Sequence, residues 1–284
     1  MDKGHIVIVG HCCLDKAIDE YRLGGSVSYI NAIFNSRNIT PFLITAFGKD
    51  FPFASILGQS GSNVIVQESQ HSTIFQNIYT DNGRKQFLLK KASNIKWQSE
   101  YKNLEPVDIL LLCPIADEVD FSFISELEAK LKVATIQGWL RKQNTDLSIG
   151  TKWIDFFLLK GLDIVIFSVE DLPEYQEIMN ELVTLVSIVV VTDGKYGAEI
   201  FTKDGKYFFP SFEIIETDPT GAGDSFACGL ASKYFETSNL HEAVIYGHAI
   251  ASLVVENNGI YFPSENEIAL RVETYPGDKV IHFQ

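Results

Sequence analysis

Thr217-Asp218-Pro219-Thr220-Gly221-Ala222-Gly223-Asp224-Ser225-Phe226 is the stretch whose reading decides the fold. A β-like run, Phe212 to Thr217, precedes it, and Phe226, Leu230 and Tyr234 follow at helical spacing, which predicts a strand-to-helix turn at the glycines. Gly221 and Gly223 permit backbone conformations closed to other residues and bring bare N–H groups near a ligand. The unpaired amides and positive dipole end of a helix start favour a phosphoryl group. Asp224, in that first turn, is placed to take a proton from a hydroxyl attacking in line. The segment alone also fits a plain turn with Asp224 as its cap.

Composition narrows the function classes. The 284 residues are 46% hydrophobic, enough for a sizeable core, and fit one large domain or two small ones. The longest apolar runs, Ile109 to Cys113 and Ile188 to Val191, are far short of a membrane span. A net charge of −14 argues against a nucleic-acid surface, which needs clustered Lys and Arg. The 4 Cys, at positions 12, 13, 113 and 228, have neither metal-site spacing nor disulfide-scaffold density. Met1 to His5 lacks a signal-peptide apolar region, so the expected location is the cytoplasm.

Other stretches surround the glycine turn. Ile6 to Val9 predicts a buried strand ending at Gly10, with Asp15 five residues on; the glycines of a dinucleotide fingerprint are missing. Leu23-Gly24-Gly25 opens a helix with Val27, Ile30, Ile33 and Phe34 as its apolar stripe, and Phe47-Gly48-Lys49-Asp50 follows a strand over Pro41 to Ala46. Thr73 to Thr80 and Arg84 to Lys90 read as a hairpin turning at Asp81-Asn82-Gly83. From Asp108 strands alternate with helices. The strands are Ile109 to Cys113, Val133 to Ile136, Ile164 to Phe167 and Ile188 to Thr192. The helical stretches are Ile124, Leu127 and Leu131, then Trp153, Phe156 and Phe157, then Pro173 to Leu185. This alternation predicts a mainly parallel sheet with helices on both faces. Asn239 with Glu242, and Ser264 with Glu267, read as N-caps of two later helices.

Together, Gly10 and Asp15, Gly24-Gly25, Thr192-x-Gly194-x-x-Gly197 and Asp218 to Asp224 resemble the ribokinase-like (PfkB) carbohydrate kinases. The resemblance implies an α/β three-layer sandwich with a mainly parallel central sheet. It implies one domain over 1–284 and a small β lid contributed by about 12–25 and 71–92. It implies Asp224 as base, with Gly221, Ala222 and Gly223 as the anion hole. Thr192, Gly194, Gly197, Ser168, His248 and Asn257 would face ATP; Asp15, Gly24, Gly25, Tyr29 and Gln137 would face the acceptor. Asp171 or Glu170 would serve Mg²⁺, and a monovalent-cation requirement stays open. The chain departs from the family pattern in having Tyr29 where an asparagine is expected, Ser168 for an asparagine, and Asp171 for a glutamate. Tyr29, Gly24-Gly25-Ser26 and Gln137 to Arg141 look most like the family's myo-inositol kinases. The expected function is phosphorylation of a small sugar or cyclic polyol by a monomer or homodimer. The alternatives are a nucleoside kinase and a non-catalytic sugar- or nucleotide-sensing protein.

Overall fold

The computed structural model describes residues 5–18, 20–59, 61–80, 83–277 and 280–283. Asp81 and Asn82, the predicted hairpin turn, lie outside them. In chain order the strands are β1 (Ile6–Val9), β2 (Cys13–Lys16), β3 (Tyr21–Gly24), β4 (Phe42–Phe47), β5 (Asn63–Glu68), β6 (Thr73–Thr80), β7 (Gly83–Lys90) and β8 (Val107–Leu112). They continue with β9 (Ala129–Thr135), β10 (Arg141–Gln143), β11 (Ile149–Thr151), β12 (Ile164–Ser168), β13 (Ile188–Thr192), β14 (Gly197–Thr202), β15 (Gly205–Pro210) and β16 (Ile281–Phe283). The helices are α1 (Ser26–Ser36), α2 (Ala54–Gln59), α3 (Ser122–Glu126), α4 (Met179–Leu185), α5 (Ala222–Thr237), α6 (Leu240–Val255) and α7 (Glu265–Glu273).

Ten strands form the central sheet in the order β16-β15-β14-β13-β12-β9-β8-β1-β4-β5. The pairs from β5 across to β13 are parallel, and β14, β15 and β16 add antiparallel pairs at one edge. Both faces of the inner strands β1, β8, β12 and β13 are buried, which is why they read as near-unbroken apolar runs. Ile6, Ile8, Ile109, Leu111 and Ile166 pack with Ile30, Phe226, Leu230 and Ile250 from the long helices on one face. Val7, Val9, Leu110, Leu112 and Val165 pack on the other face with Phe123, Leu182 and residues of short helices and 3-10 turns.

Four sequence expectations are corrected. Phe212 to Thr217 forms no strand: beyond Pro210 the chain leaves the sheet with Ile215 exposed, and the N–H groups of Thr217 and Asp218 both donate to the Val255 carbonyl. The glycine turn therefore joins an extended loop, not a strand, to α5. Leu127 lies just beyond α3 and Leu131 belongs to β9, where Lys130 and Lys132 alternate with Leu131 and Val133 at strand period. Phe156–Leu159 is one 3-10 turn that leaves Trp153 and Phe157 largely exposed. Pro173 to Leu185 becomes a 3-10 turn, Tyr175–Ile178, followed by α4. The two predicted N-caps are present, that of α7 as a full capping box.

A second, four-stranded sheet, β3-β2-β6-β7, stands beyond β1, and the β10-β11 hairpin abuts it through an isolated bridge between Phe87 and Ser148. Its base is pinned by long-range bonds. The buried Glu118 carboxylate accepts from the N–H groups of His11 (3.0 Å), Ile115 (3.0 Å) and Ala116 (2.7 Å). Buried His11 places Nε2 2.9 Å from the Ser93 carbonyl, which can only accept, so Nε2 carries the proton. Thr73 Oγ1 lies 2.8 Å from His11 Nδ1 and accepts from Ala92 N–H. Burial lowers the His11 pKa, in keeping with a neutral ring.

All four cysteines are free and buried, and burial pushes Cys12 up to about 11 and Cys228 up to about 12. No described helix is long and apolar enough to cross a membrane. Replacing Glu118 with Ala should orphan three buried N–H groups, at roughly 1–3 kcal/mol each. The expected loss is about 3 kcal/mol or more, seen as a fall in Tm of roughly 5–10 °C in a thermal melt. A change under about 2 °C would mean that the anchor is dispensable.

Candidate active site

The chemistry-bearing loops gather at the carboxyl ends of the parallel strands, where open α/β sheets bind ligands. Gly10 to Cys13 follows β1, Cys113 to Glu118 follows β8, Ile136 to Arg141 follows β9, Ser168 to Asp171 ends β12, and Thr192 to Gly197 ends β13. A cleft of about 840 Å³ lies at the opposite edge, between the end of α4, the β14–β15 turn and the α5–α6 turn, remote from these groups.

Gly221 is the N-cap of α5 in the left-handed conformation, φ 83°. A Cβ there would sit 2.3 Å from Cδ1 and 2.4 Å from Cε1 of Tyr29, so the α1 tyrosine ring occupies the only space for a side chain. Asp218 Oδ1 accepts from Thr220 N–H (3.0 Å), and Oδ2 accepts from Gly259 N–H (3.3 Å), which fixes the loop from both sides. Ala222 N–H turns to the Pro219 carbonyl at 3.3 Å; among the described residues Gly223 and Asp224 N–H have no backbone acceptor. Nothing lies within 4 Å of a Cβ placed on Gly223, so the first turn of α5 is open on that side.

Asp224 is half-buried, and the protein packed around it pushes its carboxyl up to about 6. Asp171 reinforces that rise; a hydrogen bond with Ser26 and the charge of Arg141 oppose it. Ser26 begins α1, so the N-termini of α1 and α5 meet at this carboxylate.

On the acceptor side, Asp15 lies in β2 with its carboxylate folded over Gly24, where a Cβ would come within 2.1 Å of Oδ2. Gly25, φ 90°, caps α1 against the His11 carbonyl. Tyr29 is only 5% exposed; burial, then Asp15, Asp224 and Asp218, push its phenol far above the usual range, so it stays protonated. Gln137 sits half-buried in the turn after β9, and Gly138 beside it packs on the Pro114–Ile115 backbone.

On the donor side, Ser168 and Thr192 are register partners at the ends of β12 and β13. Gly194 (φ 47°) has open space around it, whereas a Cβ on Gly197 (φ 123°) would meet the Phe209 carbonyl at 2.0 Å. Asn257 donates to the Leu253 carbonyl, ending α6. His248 is enclosed against Phe226 with Nε2 unpartnered, and burial lowers its pKa to about 4; the ring lies inside the protein rather than on an open pocket wall. Asp171 Oδ2 accepts from Ser168 N–H at 2.9 Å and its charge reaches Asp224, whereas Glu170 is exposed. Sequence reasoning missed Ser26 and Asp218 as site residues and Arg141 as a charge beside the base. Only the placement of Arg141 within the Gln137 to Arg141 segment hinted at it.

A model described as the pfkB family carbohydrate kinase matches residues 39–267. The chain belongs to this family. It is 25% identical over 294 residues to an inositol 3-kinase of Arabidopsis thaliana, covering 89% of this chain and 74% of that protein. It is 37% identical over 93 residues to a nucleoside kinase of Methanocaldococcus jannaschii, 32% of this chain and 31% of that one. A pyrophosphate-dependent kinase in the ribokinase family, solved with a pyrophosphate analog and myo-inositol, superposes with TM-score 0.76 at 19% identity, over 94% of this chain and 99% of that chain. That likeness shows the fold. Family membership and kinase relatives make this protein an ATP-dependent kinase.

An ionised carboxylate is needed to accept a proton, and that of Asp224 is pushed up to about 6. The pH profile of kcat/KM should therefore fall on the acid side with an apparent pKa near 6, with activity full above it and lost as pH drops through it. Asp224→Glu, which moves the carboxyl, should shift that limb; a flat profile down to pH about 4.5 would detach Asp224 from it.

Proposed function

We propose that this kinase phosphorylates a hydroxyl of a cyclic polyol, with myo-inositol as the first acceptor to test. The observation that carries the reading is Tyr29, whose ring lies against Gly221 at the start of α5, beside the unpaired Gly223 and Asp224 amides, and whose hydroxyl feels the charges of both Asp15 and Asp224. The acceptor hydroxyl lies between Asp15 and Asp224. Asp224 takes its proton as the oxygen attacks the γ-phosphorus of ATP, ADP leaves, and the two amides hold the charge on the transferring group. Tyr29 shapes the acceptor floor. With its ring committed to Gly221, its protonated hydroxyl serves as a donor among carboxylates, a setting for a ring bearing hydroxyls on every carbon. Thr192, Gly194, Gly197 and Ser168 bring the chain close to the donor phosphates.

Mg²⁺ fits this set. Asp171 and Asp224 repel one another across the site, and among the described residues no cluster of three or more ligating side chains is preassembled. That suits an ion held mainly by phosphates and water, with Asp171 rather than exposed Glu170 as the protein carboxylate. When bound, the ion neutralises phosphate charge.

The small sheet acts as a lid over the acceptor in this reading, contributed by the segments 12–25 and 71–92. Asp224→Asn should keep the fold and ATP binding while lowering kcat by about 10²–10⁴, measured with a coupled ADP assay. Parallel kcat/KM values for myo-inositol, ribose, fructose and adenosine decide the acceptor. A clear preference for adenosine would replace the polyol reading with the nucleoside one, which the similarity to a nucleoside kinase favours as second choice. No ATP consumption with any of the four would place the acceptor outside cyclic polyols, these sugars and adenosine.

A further inference from the structure

Arg141 stands where the two sheets and the catalytic carboxylate come together. Its Nη1 donates to the Ile115 carbonyl at 2.9 Å, in the loop after β8 that Glu118 anchors. Its guanidinium carbon lies 5.8 Å from the ring centroid of Phe75, a buried β6 residue of the small sheet. Its charge acts on Asp224 at the start of α5 and on Cys13 in β2. One guanidinium thus contacts the body and the small sheet and reaches the base with its field.

The chain on either side of Arg141 is tied to both parts as well. Just before it, Trp139 is fully buried, with Nε1 donating to the Val119 carbonyl at 2.8 Å, and Gly138 leaves no room for a Cβ against the Pro114 and Ile115 backbone. Just after it, the β10-β11 hairpin that Arg141 opens attaches to β7. Leu88 N–H donates to the Leu147 carbonyl (2.9 Å) and Gln143 Nε2 to the Leu88 carbonyl (2.6 Å). The chain before Arg141 is thus packed into the body, and the hairpin after it is bonded to the small sheet.

We propose that Arg141 is a positioning residue that registers the small sheet on the catalytic base, so that Asp224 is correctly placed for proton removal only when Phe75 and the β10-β11 hairpin are seated. The inference rests on the reading of Asp224 as the base. A planar guanidinium suits the role because it stacks on an aromatic face and donates in its own plane at the same time. A lysine would keep the charge and lose the stacked geometry.

A double-mutant cycle on the full-length enzyme tests it, with Arg141→Gln, Asp224→Asn and the pair, reading kcat, acceptor KM and ATP KM. Arg141→Gln should lower kcat by about 10–100-fold with ATP KM changed less than about twofold, and Arg141→Lys should restore part of the loss. On the Asp224→Asn background, Arg141→Gln should cost less than about threefold, because its effect passes through a group already removed. Wild-type kcat in Arg141→Gln, or an undiminished loss on the Asp224→Asn background, would overturn the proposal. Near-wild-type activity of Asp224→Asn alone would instead remove the base reading on which it rests. If Arg141→Gln does not fold, as judged by its melt, the same cycle run with Arg141→Lys decides between these outcomes.

Discussion

The contact of the Tyr29 ring with Gly221 is the constraint on which the catalytic end depends. No side chain fits at position 221, so the turn takes the left-handed conformation there and α5 starts directly against α1. The N-termini of two helices consequently meet at one carboxylate, that of Asp224 in α5, which bonds Ser26 at the start of α1. Bringing two positive dipole ends together is unfavourable unless negative charge lies between them, and the Asp224 carboxylate provides it. Asp218 completes the arrangement by holding the loop to Gly259 after α6. Packing and electrostatics thus hold the starts of α1 and α5 against each other around one carboxylate.

Competing influences set the state of the base. Crowding by protein and the Asp171 charge favour the protonated form of Asp224; Ser26 and Arg141 favour the ionised one, and the first pair prevails. A carboxylate poised near 6 can take up a proton and is still ionised at neutral pH. Any cation arriving between Asp171 and Asp224 tips that balance back toward the ionised form.

Much of this was legible in the sequence. The parallel strands announced themselves as apolar runs with sharp ends, and the caps at Asn239 and Ser264 were read from residues three apart. Glycine-and-aspartate patterns marked the loops now found at the strand ends. What escaped was either short or distant. Leu131, in the alternating start of β9, was mistaken for part of a helix because two strand steps and one helical turn differ little over so few residues. Phe212 to Thr217 has strand composition but no partner strand within reach. The Glu118 anchor joins residues 107 positions apart, and no local pattern carries such a contact. His248 was placed by its position in the family pattern, and a sequence position does not say that the ring is enclosed against Phe226.

The four buried thiols make the molecule a record of its own openings. Each is held up in its protonated form, and the thiolate is the reactive species, so alkylation must wait until a segment exposes its sulfur. The sulfurs sit in different parts: Cys13 in the small sheet, Cys113 just after a central strand, Cys228 inside α5 and Cys12 in the loop between β1 and β2. The order in which they are labelled over hours therefore maps which portions of the fold come apart separately and which only together.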